Sequence, residues 1–164
     1  MALFTHIDKD GAVRMVDVTA KAPSLRIAMA QGVVCMRPQT LEMIQEQSIK
    51  KGNVLETARI AGVMGAKKTS ALIPMCHPLN ITHIKIDFFP DTNTHSITVR
   101  ASVRLVGQTG VEMEALTAVT TACLTIYDMC KSYDREMKIS DIVLLEKSGG
   151  KSGTFVRGTN LPDE

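Results

Sequence analysis

Apolar and polar positions change period several times along these 164 residues, and each change marks an element. Residues 24–36 (SLRIAMAQGVVCM) alternate with period two, as a strand with one buried face does, and Gly32 inside the run suggests a bulge. Pro38 followed by Leu41, Ile44 and Ile49 predicts a short helix over 39–49, and Lys50-Lys51-Gly52-Asn53 a turn. Residues 54–73 carry helical spacing, with Val54, Ala58, Ala61, Val63 and Met64 on the buried side. Gly62 and Gly65, three apart in that helix, predict close approach of another backbone. Pro74 and Pro78 end the helix in the rigid loop Pro74-Met75-Cys76-His77-Pro78. Two strands follow at 81–90 and 94–107, with Asp91–Asn93 as the turn between them. A long helix covers 111–134 and a last strand 139–146. Residues 3–10 and 12–18 alternate weakly and form an N-terminal arm. The Gly/Ser/Lys-rich stretch from Ser148 onward is expected to be mobile without ligand.

The order strand, helices, strand, strand, helix, strand is the βαββαβ pattern of a ferredoxin-like sandwich. The expected class is therefore α+β, an antiparallel sheet with helices on one face. It forms one domain over residues 1–158 with a flexible tail at 159–164. Helices on one face leave the other face of the sheet to be covered. The strands at 81–90 and 94–107 carry apolar residues throughout, so an oligomer is expected to bury that second face.

The long helix has two unlike faces. At about 100° per residue, Leu116, Val119, Ala122, Cys123, Ile126, Met129, Cys130 and Tyr133 share a core stripe. Opposite lie Glu114, Thr117, Thr121, Thr125, Asp128 and Lys131. Threonine has middling helix propensity, so four of them in one helix (with Thr120) suggest a polar cleft beside Asp128 and Lys131. Asp128 and Lys131 are i, i+3 neighbours. Glu114 lies close to Asp128 in angle but almost four turns away along the axis.

Composition narrows the function classes. Net charge is +2, too small for a nucleic-acid footprint, and 4% aromatics leave few stacking platforms for single strands. Cys35, Cys76, Cys123 and Cys130 form no CxxC pair, and His83 and His95 match no zinc spacing. Met1–Asp10 shows no basic region followed by an apolar run, and no apolar stretch has the length of a membrane span. A soluble cytoplasmic protein is the expectation. His77, boxed between prolines, can present one imidazole and backbone N–H groups to a ligand. Lys21, Arg26, Lys51, Lys67, Lys68, Lys147 and Lys151 are scattered cations that suit phosphate. GGKSG at 149–153 is not a phosphate-loop motif, since position 145 is Leu145 where that motif needs glycine. A nucleotide-binding regulatory module would keep the cations but has no use for Asp128 beside Lys131, which favours an enzyme.

Four blocks together resemble the cyclic pyranopterin monophosphate synthase family, also called molybdenum cofactor biosynthesis protein C. They are MVDVTAKAPSLRIAMAQG at 15–32, AGVMGAKKTSALIPMCHPL at 61–79, TGVEMEALTAVTTACLTIYDMCKSYDR at 109–135 and LLEKSGGKSG at 144–153. Gly65, Lys68 and Tyr133 depart from it, standing where Ala, Arg and a small aliphatic residue are more usual. The resemblance implies a lyase that converts 3′,8-cyclo-7,8-dihydroguanosine 5′-triphosphate to cyclic pyranopterin monophosphate and pyrophosphate. It implies a homohexamer, a trimer of dimers, with active sites at subunit interfaces. It implies no required cofactor and no protein-held metal, although Mg²⁺ can accompany the triphosphate. It assigns Asp128, Lys131 and Lys51 to catalysis, the lysines as acid or base with pKa values lowered by neighbouring cations. Arg26, Lys21, Lys147 and Lys151 would hold the phosphates, and Glu112 and Glu114 the guanine-like edge. Met75, Cys76, His77 and Met113 would line the base pocket.

Overall fold

The computed structural model describes residues 15–158; the arm expected at 3–10, the first three residues of that at 12–18 and the tail at 159–164 lie outside them. The elements run β1 (Ser24–Cys35), α1 (Pro38–Gln45), α2 (Val54–Lys67), α3 (Thr69–Leu72), β2 (His83–Asp91), β3 (Ser96–Gly107), α4 (Glu112–Cys130), β4 (Lys138–Ser148) and β5 (Phe155–Val156). The fold is α+β. Five antiparallel strands form one sheet in the order β2-β3-β1-β4-β5. Helix α4 lies against β1, β3 and β4, and α2 packs on α4 and β2. Among the described residues no helix is long and apolar enough to cross a membrane.

Alternation in β1 does what its sequence requires. Arg26, Ala28, Ala30, Gly32 and Val34 face inward and pair with Leu105, Val103, Ala101, Val99 and Ile97 of β3 in unbroken register. Gly32 makes no bulge against β3; the irregularity at this position is in the pairing with β4, whose register shifts between Gln31 and Val33. A Cβ there would sit 2.7 Å from Val119 Cγ1 and 3.2 Å from Cys123 Sγ, so the glycine lets α4 press onto the sheet. The extra residues are on β4, one between Glu146 and Leu144 opposite Met29 and Ala30, and another between Val143 and Ser140 opposite Gly32. Asp141 takes a positive φ of 52° at the second.

The contact between α2 and α4 rests on the two glycines. A Cβ on Gly62 would lie 2.9 Å from the Ala118 carbonyl, and one on Gly65 would strike Thr121. Gly65, where alanine is more usual, thus makes room for this chain's threonine. The expected helix 54–73 is broken at Lys68, whose backbone (φ −106°, ψ 8°) leaves the helical range; Thr69 beyond it is buried and its hydroxyl donates back to the Ala66 carbonyl at 2.9 Å. Met64, expected inside, is 51% exposed. Helix α1 ends at Gln45 instead of 49, though Ile49 is still buried by the turn that follows. The hairpin turn is anchored by Asp91, whose carboxylate accepts Asn93 N at 2.8 Å and Thr94 Oγ1 at 2.9 Å.

One further expectation is corrected. The stretch after Ser148 is not structureless throughout, since Phe155 and Val156 pair with Lys147 and Glu146. On the sheet face away from α4, Leu25 and its β3 neighbour Val106 are exposed side by side, with Phe89 on β2.

Candidate active site

All ten residues expected to bind substrate line two adjoining cavities at the N-terminal end of α4. The larger, about 910 Å³, gathers Lys21, Arg26, Lys147 and Lys151 with Glu112, Gln108–Gly110 and the loop Ser148–Ser152. The smaller, about 520 Å³, gathers Met75, Cys76, His77, Met113 and Glu114. Lys21, Thr109, Gly110 and Glu112 belong to both, so the two spaces share a wall. One is lined by cations and backbone, the other by thioether, thiol, imidazole and carboxyl groups. That division suits a ligand with a polyanionic end and a flat heterocyclic end.

Arg26 builds this wall as well as facing it. Buried at β1, it donates from Nε to the Gly107 carbonyl (3.1 Å) and from Nη2 to the Gln108 carbonyl (3.2 Å). Its guanidinium packs so closely on Gly150 that any side chain there would collide with it. Gly149, at φ 96°, likewise lies against the Leu25 carbonyl. Glycine is required at both positions to fold the 148–152 loop over the cavity. Lys147 Nζ contacts Ser152 Oγ across that loop.

Glu114 is 3% exposed, although the helix wheel set it on the face opposite the core stripe. Burial pushes its carboxyl from an ordinary 4.5 to about 6, with the nearby charge of Glu112 adding to the rise and its own backbone N–H opposing it. Burial and Glu114 together raise the Cys76 thiol. The folded chain binds the Glu114 proton more tightly than the unfolded chain does. Its contribution therefore favours folding below pH 4.5 and is lost as pH rises through about 6. Glu114→Gln is expected to raise stability at pH 7.5 by up to about 2 kcal/mol and to flatten the fall between pH 4.5 and 6. Thermal unfolding at pH 4.5 and 7.5 checks this; an unchanged pH slope in the variant would assign the fall to other groups.

The three residues expected to be catalytic meet at the other end of α4. Asp128 Oδ1 is 2.7 Å from Lys131 Nζ, and Oδ2 is 3.6 Å from Lys51 Nζ. Lys51 also donates to the Asp128 backbone carbonyl at 2.8 Å, one of the carbonyls left open at the end of the helix. All three side chains are substantially exposed, so the cluster contributes little to stability. The hydrogen bond and charge of Lys131, followed by the charge of Lys51, hold the Asp128 carboxyl below the usual range. Asp128 in turn raises Lys131, opposite to the lowering expected from neighbouring cations. The threonines on the polar face bond within their own helix. Thr120, Thr121 and Thr125 each donate to the carbonyl four residues back at 2.8 Å, and Thr121 packs beneath Gly65.

A model described as the MoaC family matches residues 15–150. The chain belongs to the MoaC family. It is similar to a cyclic pyranopterin monophosphate synthase of Desulforapulum autotrophicum, 61% identical over 156 residues that make up 95% of this chain and 96% of the relative. A protein of the same name from Desulfatibacillum aliphaticivorans is 60% identical over 95% of this chain and 98% of its own length. One from Syntrophomonas wolfei is 60% identical over 94% and 98%. The chain is accordingly an enzyme of that family.

Several wall residues of this MoaC-family chain carried no chemical signal of their own. Val16 and Val18 close one side of the smaller cavity, and Ala20, Ala22, Pro23 and Ser24 line the larger. Gln108, Thr109 and Gly110 could have been found from their place at the entry to α4, between a strand end and a helix carrying two glutamates in its first turn.

Proposed function

We propose that the chain converts 3′,8-cyclo-7,8-dihydroguanosine 5′-triphosphate to cyclic pyranopterin monophosphate with release of pyrophosphate, a cytoplasmic step of molybdenum cofactor biosynthesis. The observation that carries this is the pairing of a cation-lined cavity with a heterocycle-sized one across Lys21 and Glu112. The relatives' shared name supports the same reaction.

Lys21, Lys147 and Lys151 would hold the triphosphate in the larger cavity, where Arg26 fixes the loops that frame it. Glu112 and Glu114 would receive N–H donors of the guanine-like edge, with Met75, Cys76, His77 and Met113 around the ring. Opening the purine-derived ring and rebuilding it as a pterin requires protons at several atoms. Lys131, held protonated by Asp128, is suited to donate first; Lys51 stands ready on the other side of the same carboxylate. A ribose oxygen then displaces pyrophosphate from the α-phosphorus, a task of positioning and charge neutralisation. The reading invokes no cofactor. Magnesium would arrive on the phosphate oxygens; no group of three or more His, Cys, Asp or Glu gathers among the described residues to hold it.

Fourteen residues separate Glu114 from Asp128, about 21 Å along α4. The cluster of one protomer therefore cannot serve the ring in its own cavities, and it would complete the cavities of another copy. That supports active sites at interfaces of a homo-oligomer, in line with a hexamer of paired subunits. The exposed Leu25, Val106 and Phe89 supply apolar surface for such assembly. The finer fold reading follows the same line: β1, α2, β2, β3, α4 and β4 in the sheet order 2-3-1-4 support a ferredoxin-like sandwich extended by β5. The test is turnover. The purified protein, given the cyclised nucleotide anaerobically, is expected to release pyrophosphate. Binding without release would favour a nucleotide-binding module.

A further inference from the structure

A buried carboxylate outside the machinery described so far stands just beyond the Lys51–Asp128–Lys131 end of α4. Asp134 is 1% exposed. Its Oδ2 accepts the Arg37 backbone N–H at 2.8 Å and lies 3.3 Å from Thr40 Oγ1, while Oδ1 accepts the Glu136 N–H at 3.1 Å. The Arg37 Nε lies 3.7 Å from Oδ1, and Arg37 Nη2 pairs with Glu136 at 2.6 Å. Arg37 is the N-cap of α1 and offers that helix no side-chain cap, and Pro38 has no N–H to give. The acceptor that a helix start needs is thus supplied by a residue 97 positions away.

Both arms of the cluster hang from this joint. On one side, Asp134 follows Lys131 by three residues in a tight turn, where Tyr133 N and Asp134 N both donate to the Cys130 carbonyl at 2.8 and 3.1 Å. On the other, α1 leads through a short connection to Lys51. That connection is closed by Gln47 N to Ile44 O (3.2 Å), Ser48 N to Met43 O (3.0 Å) and Gly52 N to Ile49 O (3.0 Å), with Ile44 and Ile49 buried. Moving α1 away from the end of α4 would carry Lys51 away from Asp128.

We propose that Asp134 is a positioning residue that sets the spacing of Lys51 and Lys131 about Asp128 by pinning the start of α1 to the turn after α4. The proposal rests on the acid/base reading of that cluster. Asp134 itself faces Arg37, Glu136 and Cys130, and touches neither substrate cavity.

Asp134→Asn keeps the size of the side chain but turns an N–H₂ toward a backbone N–H. It is expected to lower kcat about tenfold to a hundredfold. KM should stay within about twofold, because the substrate cavities lie at the far end of α4. A second readout needs no substrate. With ¹³Cε-labelled lysine, Lys131 in the parent protein is expected to titrate above the ordinary lysine value, with Asp128, Lys51 and Tyr127 as the titratable groups around it. In the Asn variant that titration should move back toward the ordinary value as the pair loosens. A variant with parental kcat, KM and Lys131 titration would overturn the proposal. A shifted titration in a protein that turns nothing over, in parent and variant alike, would remove the reaction while leaving the positioning role in place. If Asp134→Asn does not fold, Thr40→Val takes away one donor only. It should shift kcat and the titration the same way by a smaller factor, and no shift in either would overturn the proposal.

Discussion

Lys131→Ala is expected to leave the fold intact and to cut turnover by about 10²- to 10⁴-fold, the range that one positioned proton-transfer group supplies. The side chain is half exposed, and its one close partner is Asp128. Truncation therefore removes no packing. It leaves Asp128 facing Lys51 alone at 3.6 Å and takes away the proton that Asp128 holds on Lys131. Lys51→Ala should also abolish most turnover, but with a small loss of stability, because Lys51 Nζ caps the last turn of α4 through the Asp128 carbonyl. Steady-state kinetics beside thermal unfolding separates the two effects. A Lys131→Ala enzyme that keeps more than half of the parental kcat would show that the proton comes from elsewhere.

A mixture of two inactive variants is expected to regain activity. Lys131→Ala spoils the C-terminal end of α4, and Glu112→Gln spoils the wall shared by the two cavities at its N-terminal end. If one copy's cluster serves another copy's cavities, a subunit pair carrying one variant each holds one site with both defects and one with neither. Random pairing across a two-fold interface makes about half of the pairs mixed, so about a quarter of all sites are intact. Exchange of differently tagged variants, followed by a rate measurement on the mixture, reads this directly. A mixture as inactive as its parts would mean that each chain builds its own site, and the distance along α4 would then need another explanation.

Much of this was visible in the residue pattern where one face of an element is buried and the other is not. The strict alternation of β1 left its boundaries at Ser24 and Cys35, a residue from expectation, because every second side chain meets α4 or solvent. The core stripe of α4 was right from Val119 to Cys130 for the same reason. Its end was placed too late, at 134, since Tyr133 and Asp134 continue the apolar-polar rhythm while their N–H groups turn back onto Cys130. The bonding of the threonines was not legible, because a helical wheel records angle and says nothing of a hydroxyl's nearest acceptor, here the carbonyl one turn back. The ten cavity residues come from five segments between Lys21 and Lys151. No spacing rule links them, and the resemblance brought them together before the fold did. Glu114's burial and the two-ended site needed three dimensions: angle placed Glu114 with Asp128, and only the 21 Å or so between them along the axis separates the cavities from the lysines.

The most direct measurement follows both products of one reaction. The parent protein, given 3′,8-cyclo-7,8-dihydroguanosine 5′-triphosphate under anaerobic conditions, is observed by ³¹P NMR, and the pterin is identified by mass after quenching. Asp128→Ala is run beside it. The account predicts one pyrophosphate and one cyclic phosphodiester signal for each triphosphate lost by the parent, with neither formed by the variant. Pyrophosphate without a pterin, or equal rates in parent and variant, would contradict it.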